Sequence, residues 1–395
     1  MPRNRNSKAT LVDFVSGNSI NDEYAPLRKA QDRLYTLDNP YVGSKRGILP
    51  DIADSLNRHG IKFNTMLDLF SGSGVVSVFF KLLGKQVISN DLLTSSYYNA
   101  LAFVENESIV LTPEQIEFLC KNNNPNKTTW VRTNYPDRFT PEEAYFLDNY
   151  RANIDSLANK IYQEKISGLN QNLTIDEYSA YCEMQSRLPA IVEALSTILI
   201  EHYIMNRCFL GGRLNHGQIL ADVSHRIQHD RNNGKTMQFT LSSLPSFVDG
   251  AKKCKAYNGD AVEIAKKARI FHPQIEIAYI DPPYGQSQSD YATMYQFCEE
   301  YIYSRPLAEL PHIQQAANKF AKTKNYQEHF REVLDNLQFI PVWAVSFNAT
   351  SFEDKDKIVT ILKDYKKNVI VVNIDHEYRY RKSRSKAVEY LFIAK

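Results

Sequence analysis

The chain has 395 residues, of which 43% are apolar and 23% charged. That composition is typical of a globular protein with one large domain and an insertion, or with two domains. With 47 basic and 45 acidic side chains the net charge is only +2, so bulk charge does not indicate a nucleic-acid partner. No apolar run approaches the roughly 20 residues of a membrane span, and the polar N-terminus lacks the apolar core of a secretory signal.

The five cysteines are scattered, odd in number and form no Cys-x-x-Cys pair. This pattern argues against disulfides and a zinc site, and it fits a reducing cytoplasm. The metal alternative rests on His216, His225 and His229 with Asp222, but zinc sites usually show tighter ligand sets, so we expect no metal. Residues 1–30 are polar and are predicted to be a flexible segment.

The first amphipathic helix is predicted after Gly43, with Ser44 as its N-cap. Apolar residues at helical spacing follow, namely Ile48, Leu49, Ile52 and Leu56. Lys45 then lies in the first turn, where an ammonium can pair with the carboxylate of a ligand. The alternative is an ordinary solvated lysine.

Residues 65–91 show the pattern strand, glycine turn, helix, strand. The predicted ranges are 66–70, 71–74, 75–83 and 86–91. This order is that of a mononucleotide-binding βαβ half, in which glycines let the backbone approach a ligand.

Acidic residues at both ends of this unit indicate which ligand it binds. Asp91 ends the second strand, where a carboxylate can accept both ribose hydroxyls of a nucleoside. The turn has two glycines and lacks the third of a dinucleotide fingerprint, and Asp68 would repel a pyrophosphate but attract an ammonium. S-adenosylmethionine carries an ammonium, a carboxylate and a ribose, which match Asp68, Lys45 and Asp91 in kind.

Residues 107–250 differ from their surroundings. Helices are predicted near 112–120, 141–165 and 175–205, followed by a polar, basic stretch at 206–233. Arginine, asparagine and glutamine pair bidentately with guanine and adenine edges, so this stretch predicts base readout or strand contact. The candidates are Arg207, Arg213, Asn215, Gln218, Arg226 and Arg231. For any single one of them, a solvated helix or loop position is the alternative.

A short apolar strand stops abruptly at Asp281-Pro282-Pro283-Tyr284. Neither proline can continue the ladder, so Asp281 and Tyr284 are predicted at the carboxyl end of a strand, where open α/β sheets bind ligands. An exocyclic amino group is a poor nucleophile, because its lone pair is delocalised into the ring. Acceptors on Asp281 and the Pro282 carbonyl suit methyl transfer to such a group, and Tyr284 offers a face for base stacking.

Strands near 341–348 and 368–374 flank a helix at 354–365, and residues 389–393 are predicted to close the sheet as an antiparallel strand. Between the last two strands lies a basic stretch with interleaved tyrosines, which predicts phosphate contacts. Its candidates are Arg379, Arg381, Lys382 and Arg384. The alternative is a solvated hairpin tip.

Three segments carry a resemblance to a known family. They are Gly-Ser-Lys-Arg at 43–46, Phe-Ser-Gly-Ser-Gly at 70–74 and Asp-Pro-Pro-Tyr at 281–284, which starts 207 residues after Gly74 (281 minus 74). In this order they resemble the alpha-group, Dam-like family of DNA adenine-N6 methyltransferases. The resemblance implies an α/β, Rossmann-like methyltransferase sheet with helices on both faces, formed by residues 31–106 and 251–395. Residues 107–250 would then be an inserted, mostly helical target-recognition domain.

The resemblance also implies S-adenosyl-L-methionine as cofactor, with S-adenosyl-L-homocysteine as product. Lys45 would touch the cofactor carboxylate, and the segment containing Asp260 would hold the cofactor adenine. The implied cofactor-binding residues are Tyr41, Lys45, Asp68, Phe70, Ser71, Gly72, Ser73, Gly74, Asp91, Gly259, Asp260 and Asp281. The implied catalytic residues are Asp281, Pro282, Pro283 and Tyr284.

By the same resemblance we expect site-specific methylation of a flipped adenine in double-stranded DNA, by a cytoplasmic monomer of bacterial or phage origin. A cognate restriction endonuclease is an expected partner of such enzymes. Cytosine-N4 transfer is the alternative closest in class, although those enzymes more often carry serine where Asp281 stands. RNA amino-methylation, a nucleotide-binding dehydrogenase and a non-catalytic DNA-binding module are further alternatives.

Overall fold

The computed structural model describes thirteen stretches of the chain. They are residues 41, 43–122, 127–136, 138–139, 141–167, 187–200, 253–283, 291–310, 313, 320, 326–349, 354–380 and 383–395. Side chains are described for these residues except 165–167 and 376–387.

Helices and strands alternate along most of the described chain. The strands are β1 (Thr65–Asp68), β2 (Gln86–Asp91), β3 (Lys255–Asn258), β4 (Ile277–Ile280), β5 (Val342–Asn348), β6 (Val369–Tyr380) and β7 (Ser383–Ala394). The helices are α1 (Leu49–Arg58), α2 (Val75–Leu82), α3 (Thr94–Ala100), α4 (Pro113–Cys120), α5 (Trp130–Asn134), α6 (Pro141–Ser167), α7 (187–200), α8 (Ala261–Phe271), α9 (Tyr291–Met294), α10 (Gln296–Tyr303), α11 (Tyr326–Asn336) and α12 (Lys355–Lys363).

The strands form one seven-stranded sheet in the order β3-β2-β1-β4-β5-β7-β6. All neighbouring strands are parallel except that β7 is antiparallel to both β5 and β6. The predicted α/β class and the antiparallel closing strand are therefore confirmed. Strand order reverses between β1 and β4, and such a switch point opens a crevice at the carboxyl ends of the strands.

Apolar side chains of the sheet alternate between two cores, one on each face. On β4, Ile277 and Tyr279 join the cluster that contains α1, α2 and α10, while Ala278 and Ile280 join the cluster that contains α8, α11 and α12. The helices α6 and α7 of the insertion belong to the first cluster. Because the central strands are buried on both faces, they are near-continuous apolar runs, as expected for a parallel sheet.

The start of the first helix differs from the prediction. Residues Lys45–Ile48 form a 3₁₀ turn, and the α-helix begins at Leu49. Ser44 is the N-cap residue of this 3₁₀ turn and not of the α-helix, and its side chain makes no capping hydrogen bond. Pro50 at the second helical position accounts for the difference, because its fixed φ suits the first turn of an α-helix.

Helix α4, by contrast, lies where the sequence predicts a helix and has side-chain caps at its start. Gln115 N–H donates to Thr112 Oγ1 at 3.3 Å, and Thr112 N–H donates to Gln115 Oε1 at 2.9 Å. These two bonds form a capping box with Pro113 at the first helical position, and they satisfy donors that a helix start otherwise leaves unpaired.

The last two strands form a long hairpin that extends past the rest of the sheet. β5 ends where Asn348 faces Glu389, and six further β6–β7 pairs continue to Tyr380 and Ser383. At about 3.3 Å per residue these pairs span roughly 20 Å. Because β6 runs in the direction of β1, this ribbon projects from the carboxyl edge of the sheet, the edge that carries Asp281.

Candidate active site

The glycine turn between β1 and α2 is held by backbone hydrogen bonds. Ser71 N–H donates to the Asn90 carbonyl and Gly74 N–H donates to the Ser71 carbonyl, both at 2.8 Å. Gly72 has φ +51° and Gly74 has φ +75°, conformations that cost a residue with a Cβ about 1–2 kcal/mol. The two glycines therefore allow this tight turn at the end of β1.

Tyr41 covers the turn with its ring. A Cβ on Gly72 would lie 2.9 Å from Tyr41 Cε1, so the absence of a side chain at 72 permits the contact. The Tyr41 ring stacks on Tyr295 at 5.0 Å and on Tyr291 at 5.8 Å between centroids. This three-tyrosine stack joins the turn to α9 and α10.

Asp91, at the end of β2, is fixed by backbone donors. Gly72 N–H donates to its Oδ2 at 2.7 Å, and Leu93 N–H donates to its Oδ1 at 2.9 Å. Burial raises the pKa of Asp91 to about 6, although these two hydrogen bonds oppose the change. The carboxylate therefore lies against the glycine turn.

Asp68, at the end of β1, is fully buried. Its Oδ2 accepts a hydrogen bond from Ser77 Oγ at 2.6 Å, and its Oδ1 has no partner among the described residues. The pKa of Asp68 is raised to about 7, chiefly by burial and also by the nearby carboxylates of Asp281 and Asp91, while the hydrogen bond from Ser77 opposes the change. Asp68 thus experiences the charges of two acids that lie at the ends of the two neighbouring strands.

Asp281 follows β4 directly and is 16% exposed. Its Oδ2 lies 3.0 Å from Lys45 Nζ. Pro282 is buried and Pro283 is half-buried beside it. Burial raises the pKa of Asp281, Lys45 lowers it, and the Glu389 carboxylate raises it.

Lys45 makes a second ion pair. Its Nζ lies 3.2 Å from Glu389 Oε1, and only 5% of the lysine side chain is exposed. Glu389 is itself buried and accepts a hydrogen bond from Ser346 Oγ at 2.7 Å. The ammonium that the sequence assigns to a cofactor carboxylate is thus held between two carboxylates of the protein.

The segment that follows β3 lies next to the end of β2. Gly259 N–H donates to the Asp91 carbonyl at 3.0 Å, and Asn90 Nδ2 donates to the Gly259 carbonyl at 3.2 Å. Asp260 is the N-cap of α8, since its Oδ1 accepts from Val262 N–H at 3.0 Å. The acid predicted to hold the cofactor adenine thus has one oxygen occupied by its own helix.

A family model for D12 class N6 adenine-specific DNA methyltransferases matches residues 41–188. Curated relatives are similar over most of the chain. Type II methyltransferase M2.HphI of Haemophilus parahaemolyticus is 26% identical over 358 residues, which cover 89% of this chain and 96% of the relative. Modification methylase StsI of Streptococcus sanguinis is 27% identical over 88% of this chain and 49% of its own length.

The family model and these relatives together support a methyltransferase of the Dam-like, N6-adenine-specific family. The predicted family and the predicted activity, methylation of adenine N6 in DNA, are thereby confirmed. Modification methylase LlaI of Lactococcus lactis subsp. lactis is also similar, at 24% identity over 86% of this chain and 51% of the relative. The methyltransferase thus spans nearly all of M2.HphI but only about half of StsI and of LlaI.

Several predicted site residues of the methyltransferase lie outside the described residues. They are Tyr284, Arg207, Arg213, Asn215, Gln218, Arg226, Arg231, Arg381 and Lys382. Arg379 and Arg384 face each other as a backbone pair near the end of the β6–β7 ribbon. Their roles stay predictions.

Two acids near the site, Glu389 and Glu299, are not among the predicted site residues. Glu389 stands in the apolar run of β7, and an isolated acid in a buried strand was the signal that could have revealed it. Glu299 of α10 is fully buried, and its carboxylate accepts from the N–H groups of Thr94 and Ser95 at 3.0 and 2.9 Å. No local pattern marks Glu299, because its partners are more than 200 residues away.

No described helix has the length and apolar character needed to cross a lipid bilayer. Within the same described stretches, no group of three His, Cys, Asp or Glu side chains is arranged to hold a metal ion.

Proposed function

We propose that this methyltransferase uses S-adenosyl-L-methionine and that the carboxylates of Asp68, Asp91 and Asp281 organise its active site. The observation that carries the proposal is their convergence at the carboxyl edge of β1, β2 and β4 around the glycine turn. Three acids with raised pKa values, Asp68 buried and Asp91 and Asp281 half-buried, are costly unless a ligand or a reaction uses them.

The residues present fit the cofactor. Asp68 Oδ1 is buried without a partner among the described residues, which supports a contact with a ligand ammonium. Gly74 leaves room beside the turn, because a Cβ there would meet its nearest atom only at 3.7 Å. Asp91 and Gly259 would face the nucleoside, and the segment from Phe70 to Gly74 would wrap the methionyl part. When bound, the cofactor supplies an electrophilic methyl group on a sulfonium.

Asp281 and the Pro282 carbonyl would accept hydrogen bonds from the two N–H groups of the adenine N6. These bonds stabilise the positive charge that develops on nitrogen during transfer and orient its lone pair. Asp281 must be ionised to act in this way, so its raised pKa predicts a loss of rate in acid. Tyr284 would stack on an adenine that is flipped out of the duplex.

Lys45 lies beside Asp281 and would reach the cofactor carboxylate from there. The three-tyrosine stack of Tyr41, Tyr291 and Tyr295 would close the cofactor side of the site. The described site brings hydrogen-bond acceptors to the substrate amino group. This arrangement favours direct attack of that nitrogen on the methyl group, without a covalent enzyme intermediate.

DNA would be bound by two regions of the chain, the insertion and the ribbon. The insertion, residues 107–250, would read the sequence through Arg207, Arg213, Asn215, Gln218, Arg226 and Arg231. The ribbon would contact phosphates through Arg379, Arg381, Lys382 and Arg384. The names of M2.HphI, StsI and LlaI indicate modification enzymes, which supports a role in restriction-modification with a cognate endonuclease as functional partner.

Incubation with labelled S-adenosylmethionine and plasmid DNA, followed by nucleoside analysis, tests this proposal. We expect the label in N6-methyladenine and none in N4-methylcytosine. Asp281→Ala should lower transfer by at least a factor of about 100, the size of one lost transition-state contact. It should retain cofactor binding, measured by calorimetry.

Two outcomes would contradict the proposal. Full activity of the Asp281→Ala variant would remove Asp281 from the mechanism. Absence of cofactor binding by the unaltered protein would rule out S-adenosylmethionine as the cofactor.

Single-molecule sequencing of DNA from expressing cells would identify which adenines are methylated and test the roles proposed for the insertion.

A further inference from the structure

Glu389 is a buried carboxylate at the start of the apolar half of β7. It lies on β7, which has a strand on either side, and only 1% of its side chain is exposed. Ser346 of β5 donates to its Oε1, and Lys45 Nζ lies 3.2 Å from the same oxygen. Burying a charged group at such a place is expensive, and replacing it by an apolar residue is often neutral or stabilising. Its presence therefore calls for a role other than stability.

The role suggested by geometry involves the ammonium of Lys45. This group lies 3.0 Å from Asp281 and 3.2 Å from Glu389, so one positive charge is shared by two carboxylates. If Asp281 had Lys45 to itself, the pair would be neutral. With Glu389 ionised, the three groups together carry one net negative charge next to the proposed position of the substrate amino group.

We propose that Glu389 is a positioning residue that draws part of the Lys45 charge away from Asp281, so that the ionised Asp281 carboxylate is a stronger hydrogen-bond acceptor for the adenine amino group. This inference rests on the proposed function of Asp281. Glu389 acts through Lys45 and would not touch the substrate.

The other charged or titratable groups that face Asp281 do not duplicate this role. Asp68 of β1 is held by Ser77 and acts on Asp281 only through space. Tyr279 of β4 stays neutral, because burial raises its pKa well above the ordinary value. Among these groups, Lys45 lowers the pKa of Asp281 and Glu389 raises it.

The test is Glu389→Gln, which keeps the size of the side chain and an oxygen acceptor for Ser346 but removes the charge. The ion pair between Lys45 and residue 389 is then lost, whereas the ion pair between Lys45 and Asp281 remains. We expect kcat at saturating S-adenosylmethionine and DNA to fall about tenfold, the effect of about 1.4 kcal/mol. The acid limb of the profile of kcat against pH should move to lower pH. KM for both substrates should stay within about twofold of the values of the unaltered enzyme.

Two variants separate this effect from a structural one. Ser346→Ala removes a hydrogen bond to Glu389 without changing any charge, so its acid limb should match that of the unaltered enzyme. Glu389→Asp withdraws the carboxylate from Lys45 by one methylene, so its limb should move in the same direction as that of Glu389→Gln but less. Thermal unfolding of each variant shows whether it is folded at the assay temperature.

The inference would be overturned if the Glu389→Gln variant is folded and has the same kcat and the same acid limb as the unaltered enzyme. If Glu389→Gln does not fold, an unaltered profile of Glu389→Asp overturns it instead. Failure of the proposed function can be distinguished from failure of this inference. In that case either the unaltered enzyme transfers no methyl group or the Asp281→Ala variant is active.

Discussion

Gly72 and Gly74 have similar backbone conformations but different surroundings. Both have positive φ, at +51° and +75°. A Cβ at position 72 would lie 2.9 Å from the Tyr41 ring, whereas one at position 74 would meet nothing closer than 3.7 Å. The turn therefore needs glycine at 74 for its backbone alone, and at 72 for its backbone and for the Tyr41 contact.

Gly72→Ala should consequently be more damaging than Gly74→Ala. We expect Gly74→Ala to lower the free energy of unfolding by about 1–2 kcal/mol through backbone strain. Gly72→Ala should cost about 1–3 kcal/mol more because of the clash and should weaken S-adenosylmethionine binding, measured by calorimetry. In a Tyr41→Ala background the two glycine substitutions should cost the same. A difference that persists there would show that Tyr41 is not the cause.

The buried acids determine how stability depends on pH. Burial raises the pKa of Asp68 to about 7 and that of Asp91 to about 6, whereas an aspartate in the unfolded chain titrates near pH 4. Between these values the folded protein binds more protons than the unfolded one. Its free energy of unfolding therefore falls as pH rises from about 4 to about 7.

Asp68→Asn should remove part of this pH dependence. The amide oxygen can still accept from Ser77, and no charge is buried above pH 7, so the free energy of unfolding at pH 8 should rise by about 2–4 kcal/mol. Denaturant titrations at pH 5, 6, 7 and 8 measure the slope. As a control, Glu263→Gln, at a side chain that is 59% exposed, should leave the slope unaltered. Parallel profiles for Asp68→Asn and the unaltered protein would contradict this account.

At the scale of elements, α10 completes the start of α3. Leu93 occupies the N-cap of α3 and has no side-chain acceptor, so it makes no capping hydrogen bond. Glu299 of α10 instead accepts from Thr94 N–H, Ser95 N–H and Ser95 Oγ at 2.8–3.0 Å. A carboxylate at a helix N-terminus also interacts favourably with the helix dipole. The buried side chain of Glu299 thereby connects α10, whose N-cap residue Tyr295 belongs to the three-tyrosine stack, to the start of α3, which follows β2.

Glu299→Ala should leave the first N–H groups of α3 buried without an acceptor. We expect a loss of about 2–3 kcal/mol in the free energy of unfolding. KM for S-adenosylmethionine should rise, because α3 begins at Thr94, close to Asp91 in the chain. Glu263→Ala, an exposed carboxylate on α8, is the matched control and should leave both quantities essentially unchanged. An equally small effect of Glu299→Ala would mean that water replaces the lost acceptor.

At the scale of the whole molecule, the ribbon formed by β6 and β7 projects beyond the sheet edge that carries Asp281, and Arg379 pairs with Arg384 near its end. Replacing Arg379, Arg381, Lys382 and Arg384 by serine should weaken DNA binding. The slope of log affinity against log salt should decrease by about one for each phosphate contact that is lost. Binding to unrelated sequences should weaken equally, since phosphate contacts carry no sequence information.

The matched control for the ribbon is on the opposite edge. Lys267 and Arg269 are exposed near the end of α8, which precedes β4 and therefore lies at the amino ends of the parallel strands. Replacing both by serine should leave the salt slope unchanged. A ribbon variant whose slope equals that of the unaltered protein would show that the ribbon does not bind phosphate.

The sequence by itself determined the βαβ unit, the abrupt end of β4 at Asp281, the helix near 112–120 and the direction of β7. Each is encoded by residues that are close together in the chain, where apolar periodicity, glycine, proline and capping side chains act directly on the local backbone. The Gly-Ser-Lys-Arg, glycine-turn and Asp-Pro-Pro-Tyr segments added the family.

Only the tertiary structure decided what the charged side chains contact. Lys45 turned out to be held by Asp281 and Glu389, which come from distant parts of the chain, and α3 is capped by Glu299 from 205 residues away. Such contacts depend on strand order and on which helix covers which face. No local pattern encodes them, because the free energy that selects them comes from burial of the whole sheet.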